Sequence, residues 1–253
     1  MEDMNTLEVA HLSFGYANGV NALSDVSFTV AEGVCVGLIG PNGAGKSTLM
    51  MHLNGLLPNK MGDKASIRVF GEPISPRNLD RIRRDVGLLF QNPDDQLFCP
   101  TVFEDVTFGP QQFGWGDNDV KAAATRALEQ VGLPGYGPRS PHHLSHGEKR
   151  RVCIAGLLAC APRVLLLDEP TSDLDPRGRR ELKTLLKQLP VTKVIASHDL
   201  EMIAELCSRV LILDQGRLVR EGPAYELLND EALMLEHGLE RPHCLQRTTS
   251  AIG

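Results

Sequence analysis

Residues 40–48 read GPNGAGKST, behind the apolar run Val34-Cys35-Val36-Gly37-Leu38-Ile39 and ahead of a segment of helical character that reaches Asn54. A buried strand, a glycine-rich turn and a helix in that order form a P-loop. Gly40, Gly43 and Gly45 let the backbone turn tightly and aim N–H groups at phosphate oxygens, and the helix presents its positive end. Lys46 adds a point charge for β- and γ-phosphates, Ser47 a hydroxyl for Mg²⁺, and Thr48 a further phosphate hydrogen bond. What the bound nucleotide does depends on the rest of the chain.

The 253 residues suffice for one large α/β unit or two modest lobes, and one nucleotide-binding unit with lobes is the expectation. Lys and Arg number 26 against 32 Asp and Glu, a formal net charge of −6. That balance offers no broad field for a polyanion, so nucleic acid is not an expected partner. The opening MEDMNTLEVA has neither a basic nor an apolar leader segment, and no apolar run approaches the roughly 20 residues that span a bilayer. A soluble, cytosolic chain is expected. Cys35, Cys99, Cys153, Cys160, Cys207 and Cys244 form no CxxC pair and read as reduced thiols, without a disulfide framework or zinc site.

Loose alternation over residues 7–12 and clean alternation over residues 26–30 predict a small antiparallel sheet before the P-loop strand, to which residues 66–70 add a strand. Between them, Tyr16 follows a glycine turn; by itself it reads as packing, or as a ring on which a base could stack. Val86-Gly87-Leu88-Leu89-Phe90 predicts a short strand that breaks into the polar, proline-containing loop Gln91-Asn92-Pro93-Asp94-Asp95-Gln96. Residues 101–161 turn helical, with helices opening at Thr101, running over 119–131 and over 147–158, and read as a helical insertion between two strands of the central sheet. After it, helix and strand alternate to residue 213, with a hairpin turning at Gln215-Gly216. Past Asp230 periodicity fades, and residues 241–253 read as a polar, mobile tail.

Two carboxylates emerge where VLLLDEP (164–170) ends a buried strand, at the sheet edge where ligands of parallel sheets bind. Asp168 suits Mg²⁺ through its water shell, opposite Ser47. Glu169 suits the orientation and deprotonation of an attacking water. His198 also follows an apolar strand, where it could hydrogen-bond a γ-phosphate or that water, although a lone histidine is commonly structural. Leu144-Ser145-His146-Gly147-Glu148 opens a helix rich in Lys149, Arg150 and Arg151, with Ser145 as N-cap. One chain rarely needs two phosphate-binding helix ends for one nucleotide, unless a second copy supplies one of them.

Taken together, GPNGAGKST, Gln91, LSHGE, VLLLDEP, Ser172-Asp173-Leu174-Asp175 and His198 resemble, in order and context, the ATP-binding cassette (ABC) ATPases over roughly residues 5–230. The resemblance implies an α/β P-loop NTPase with a parallel core sheet, an antiparallel β subdomain and an inserted helical subdomain, with residues 1–240 as the nucleotide-binding domain. It further implies ATP and Mg²⁺ as cofactors, Tyr16 on the adenine, and Asn42, Gly43, Ala44, Gly45, Lys46, Ser47 and Thr48 as the Walker A cradle. Gln91 would be the Q-loop glutamine, sensing Mg²⁺ and the transport partner. Asp168 and Glu169 would be the Walker B pair, with Glu169 catalytic. Asp175 would belong to the D-loop, and His198 would be the switch histidine. Ser145 and Gly147 of the signature would close on the γ-phosphate bound by another subunit. The family's usual signature is LSGGQ; here His146 replaces a glycine and Glu148 the glutamine.

Gln91-Asn92-Pro93-Asp94-Asp95-Gln96-Leu97-Phe98, followed by Thr101-Val102-Phe103-Glu104-Asp105-Val106, is similar to the energy-coupling factor ATPases of micronutrient importers. An acidic, flexible loop leading from the active site into a helix is placed to grip a cationic helix of a transmembrane coupling protein. Residues 196–202 and the compact helix over 176–190 look more like the cobalt and nickel transporter subunit than the vitamin-importer pair. The resemblance implies a peripheral ATPase on the cytoplasmic face of the cell membrane. It would act as a dimer, for which two copies suffice and a heterodimer stays open, and serve a substrate-binding membrane subunit indirectly. Another ABC importer or exporter ATPase, or a soluble non-transport ABC ATPase, is the alternative.

Overall fold

A computed structural model describes residues 5–57 and 66–246. Its centre is a six-stranded sheet of β3 (Cys35–Ile39), β6 (Val86–Leu89), β7 (Val164–Asp168), β8 (Thr192–Ala196), β9 (Arg209–Asp214) and β10 (Arg217–Pro223), in the order β10-β9-β3-β8-β7-β6. All pairings are parallel except β9 with β10, the hairpin at one edge. Every residue of β6, β7 and β8 is buried, which accounts for the apolar runs 86–89, 164–167 and 194–196, whereas buried Lys193 of β8 donates to the Leu189 and Val191 carbonyls. The strand period of two divides those runs between the two faces. Leu165, Leu167, Ile195, Val210 and Ile212 join one core, and Leu166, Val194, Ala196, Leu211 and Leu213 the other.

The second core is closed by the antiparallel sheet β2-β1-β4-β5, made of β1 (Asn5–Gly15), β2 (Asn21–Ala31), β4 (Ile67–Val69) and β5 (Glu72–Pro73), and by helix α1 (Lys46–Leu53). The short α2 (Leu79–Asp85) leads into β6. The first core receives the insertion between β6 and β7, formed by α3 (Val102–Gln112), α4 (Asp117–Gln130) and α5 (His146–Ala159). Thr101 opens α3 with a capping box completed by Glu104. At Gly109 of α3 a β-carbon would stand 2.4 Å from Cys160 Sγ, so α3 passes close to the end of α5 and a larger residue there would have to displace that thiol. Helices α6 (Pro176–Gln188), α7 (Leu200–Leu206) and α8 (Ala224–Asn229) complete the alternation.

The chain beyond Asp230 differs from the sequence expectation. Asp230 caps α9 (Glu231–Glu236), and α10 (His243–Gln246) follows. These helices have two turns or fewer, too short to print a periodicity. Within the segment expected to be a mobile tail, residues 241–246 contact the rest of the chain. Pro242 is buried, Leu245 packs on the first core, and the Cys244 N–H donates to both oxygens of Glu201 at 3.2 and 3.3 Å. Residues 247–253 of that tail lie outside the described residues. All six cysteines are free thiols, with Cys35 and Cys207 sulfurs 3.6 Å apart. No helix among the described residues is long and apolar enough to cross a membrane.

Candidate functional site

The turn between β3 and α1 is shaped by contacts that only glycine permits. Gly40 has φ 150°, and a β-carbon there would stand 1.9 Å from the Leu213 carbonyl oxygen. Gly45 has φ 103°, with a β-carbon 2.5 Å from the Ala22 carbonyl. The loop is thus pressed against β9 and β2 from behind, and Asn42, Gly43 and Ser47 are exposed in front. Ala44 is buried and its carbonyl accepts from the Gly216 N–H at 3.0 Å. Lys46 Nζ folds over the loop and donates to the Gly40 and Pro41 carbonyls at 2.8 and 3.0 Å. Burial pulls this ammonium below its ordinary pKa, against the opposing attraction of Glu169 and Asp168.

The carboxylates at the end of β7 face this loop. Burial pushes Asp168 above the ordinary carboxylate range, countered by a hydrogen bond from Ser47 and by the charges of Lys46, Arg150 and His198. Ser47, Asp168 and Gln91 line one cavity of about 360 Å³, together with His146 and Asp173. Hydroxyl, carboxylate and amide oxygens are the donors a hard divalent cation takes, so this set fits Mg²⁺. Glu169 sits at φ 46°, a left-handed conformation rare for a non-glycine residue, and one that clusters at functional sites. Its Oε2 accepts from Ser197 Oγ and the His198 N–H, both at 3.2 Å. Its Oε1 is buried without a hydrogen-bond partner, with His198 Nε2 at 3.5 Å, which itself lies 3.5 Å from Lys46 Nζ. An orphaned carboxylate oxygen facing the phosphate loop is an acceptor waiting for a donor such as water.

Tyr16 follows β1, with its ring edge-on to Phe14 at 4.9 Å and its hydroxyl 3.0 Å from Thr48 Oγ1. Half-exposed beside the loop, it presents a ring to solvent at the mouth of the cradle. The fold therefore brings Tyr16, the loop, Gln91, Asp168, Glu169 and His198 to one edge. Ser145 and Gly147 line a groove of about 880 Å³ that contains no residue of the P-loop, while His146 between them borders both this groove and the cavity of Ser47 and Asp168. Ser145 caps α5 in a reciprocal box: its Oγ accepts from the Glu148 N–H at 3.3 Å, and Glu148 accepts from the Ser145 N–H and Oγ at 2.8 Å each. The Tyr136 hydroxyl donates to the other Glu148 oxygen at 2.7 Å. These bonds hold the Glu148 carboxyl below its ordinary range and raise the Tyr136 phenol. Asp175, expected in the D-loop, caps α6 by accepting from the Gly178 N–H at 2.7 Å.

The loop after Gln91 was expected to be flexible; the structure ties it down. Pro93–Asp95 form a 3₁₀ turn, Gln96 accepts from the Phe90 N–H, and Asp105 accepts from the N–H groups of Phe98 and Cys99. Asp94 pairs with Lys149 at 2.6 Å, and the Arg150 guanidinium donates to the Phe90 carbonyl at 2.9 Å. Sequence reading missed Lys149, Arg150 and Ser197 as neighbours of the site. It also missed the role of Glu148, although Ser-x-x-Glu ahead of a helix is a legible capping signal.

The family model described as "ABC transporter" matches residues 23–172. Among curated relatives, the energy-coupling factor transporter ATP-binding protein EcfA of Methanothermobacter thermautotrophicus is 44% identical, over 93% of this chain and 76% of its own length. The solved structure of cbiO1 from Clostridium perfringens, described as part of the ABC transporter complex cbiONQ, superimposes with a TM-score of 0.79 at 33% identity, covering 97% of this chain and 99% of that one. The ATP-binding cassette MJ0796, solved as a dimer in a post-hydrolysis state with ADP and phosphate, gives 0.77 at 26% identity, covering 86% and 98%. With its phosphate loop, its two-carboxylate strand end and its inserted helices in the same arrangement, the chain belongs to the ABC transporter ATP-binding family, whose members couple ATP hydrolysis to transport.

Proposed function

We propose that this chain is the ATP-hydrolysing subunit of an energy-coupling factor importer, and that two copies sandwich two ATP molecules head to tail. The observation supporting the sandwich is that Ser145 and Gly147, at the capped end of α5, line a groove that no P-loop residue enters, while His146 between them borders the cavity of Ser47 and Asp168. The backbone N–H groups of residues 42–48 and Lys46 bind the phosphates, and Tyr16 takes the adenine face. Ser47, Asp168 and Gln91 would hold Mg²⁺, which supplies charge neutralisation between the phosphates when bound. Glu169 Oε1 accepts a proton from the attacking water, and His198 fixes that water against the γ-phosphate. Ser145 and Gly147 of the second copy complete the phosphate shell.

The energy-coupling factor assignment is supported by the similarity to EcfA and cbiO1 and by the surface beyond Gln91. Asp94 is engaged by Lys149, so the groups left to a membrane partner are exposed Asp95 and the aromatic pair Phe98 and Phe108, 66% and 41% exposed, with rings 4.9 Å apart. An amphipathic coupling helix with a basic residue fits that surface. In this reading the chain is a peripheral subunit on the cytoplasmic face of the membrane. A separate membrane subunit binds the cargo, and a cobalt or nickel ion is our choice over a vitamin. The Glu169→Gln variant should elute as a dimer at saturating ATP and bring membrane subunits with it from detergent extracts. A strictly monomeric Glu169→Gln, or a pull-down containing nucleic acid instead, would overturn the reading.

A further inference from the structure

The N-terminal half of α5 touches the Gln91 loop at three points on one side of the helix. Lys149 Nζ meets Asp94 Oδ1 at 2.6 Å, Arg150 Nη1 donates to the Phe90 carbonyl at 2.9 Å, and Cys153 Sγ lies 3.8 Å from the Pro93 carbonyl. The Phe90 carbonyl belongs to the peptide that joins Phe90 to Gln91, so the Arg150 bond fixes the base of the glutamine. Arg150 is also 0% exposed, and its Nε and Nη2 are buried without partners. A buried guanidinium with unmet donors is unfavourable, and an apolar side chain of the same volume would avoid that cost. Packing therefore does not account for it. Burial pulls the guanidinium below its ordinary pKa, against the opposing attraction of Asp173, Asp168 and Glu169.

We propose that Arg150, assisted by Lys149, is a positioning residue that makes the Gln91 loop move as one body with the signature end of α5. Resting on the two-copy reading above, the proposal assigns the route by which a phosphate bound at Ser145 and Gly147 of one copy is felt at the membrane-facing loop of that same copy. Capture of the partner's γ-phosphate shifts α5, and the Arg150 guanidinium carries the Phe90 carbonyl, and hence Gln91, with it. Asp94 follows through Lys149. The chain would thus report its partner's nucleotide to the membrane subunit without any contact between that nucleotide and its own loop.

The test is hydrogen–deuterium exchange with ATP in the Glu169→Gln background, reading peptides over 40–48 and 90–98, with steady-state ATPase in the wild-type background. ATP should slow exchange in both peptides. In Arg150→Met the 40–48 protection should persist while the 90–98 response disappears, and kcat should fall about tenfold or more, the worth of one bond from a charged donor, with KM within about twofold. Arg150→Lys, retaining one donor, should recover part of the response. Should Arg150→Met fail to fold, the charge swap decides: Lys149→Asp should weaken the response and Lys149→Asp with Asp94→Lys restore it. An unaltered 90–98 response in a folded Arg150→Met, or a swap that folds and does not restore it, overturns the proposal. A Glu169→Gln parent that stays monomeric by sedimentation at saturating ATP would instead sink the two-copy reading, and this one with it.

Discussion

Replacing Glu148 by Gln should make the free protein less stable and yet let it close on less ATP. In the structure one carboxylate accepts three hydrogen bonds, from the Ser145 N–H, the Ser145 hydroxyl and the Tyr136 hydroxyl. A Gln side chain keeps the shape, and either hydroxyl can turn to accept from its amide, so the loss is the charge assistance and part of the cap. That is about 1 kcal/mol, or about 2 to 4 °C of melting temperature for a chain of this size. In the two-copy reading proposed above, the opposite effect would arise where the partner's phosphate meets Ser145. A carboxylate about 6 Å from a phosphate charge repels it by about 0.7 to 3 kcal/mol for effective dielectrics of about 80 to 20. Salt screening at this half-exposed site favours the lower end, about 1 kcal/mol, or roughly fivefold in affinity. The assay is sedimentation of Glu169→Gln with and without Glu148→Gln across an ATP titration, at low and high salt, beside thermal melts without nucleotide. The double variant should dimerise at about fivefold less ATP, with the gap narrowing in salt. A double variant that needs more ATP, or a gap indifferent to salt, would refute the electrostatic argument.

The same carboxylate predicts a pH dependence. Its folded-state pKa is depressed below the ordinary 4.5, so its contribution is complete above that value and is lost as pH falls through the folded value. Acid unfolding of Glu148→Gln followed by circular dichroism should be less steep below about pH 4.5 than that of the parent; identical profiles would remove Glu148 from the account. Gly40→Ala forces a β-carbon onto the Leu213 carbonyl and should cost about 3 kcal/mol or more in urea unfolding. Gly43→Ala, also at positive φ but with nothing within 4 Å, should cost about 1 to 2. Equal losses would show that the clash is relieved by backbone movement. Tyr16→Ala should weaken binding of a fluorescent ATP analogue by at least about fivefold, the worth of one base stack, and Tyr16→Phe by no more than about threefold. Unchanged affinity in Tyr16→Ala would remove the ring from the site.

Most of the fold was legible because its centre obeys simple rules. Strands buried on both faces are mostly apolar, as residues 164–167 of β7 are, and a P-loop sits between such a strand and a helix. The legible site residues lie where those strands end, next to their signals in sequence. Contacts between distant segments were not legible. Nothing in Asp94 announces Lys149, and a triplet of basic residues opening α5 looks like a solvated face although Arg150 is fully inside. The acidic loop therefore read as free when it is tied to a helix. Glu148 is the converse case: its pairing with Ser145 is local, and Ser-x-x-Glu ahead of a helix is legible in the sequence. The short helices after Asp230 could not be read, because fewer than two turns carry no repeat.

The place of β3 in the sheet governs how the protein is made. Its neighbours on the two sides are β8 and β9, and the carbonyl that backs Gly40 belongs to Leu213, all encoded far downstream. A nascent chain leaving the ribosome carries a finished phosphate-loop sequence on a strand with both edges bare, an apolar ribbon prone to pair with other chains. The loop therefore gains the backing of the Leu213 carbonyl behind Gly40 only once β9 has emerged. Pairings of such long sequence separation carry a loop-closure cost that slows folding.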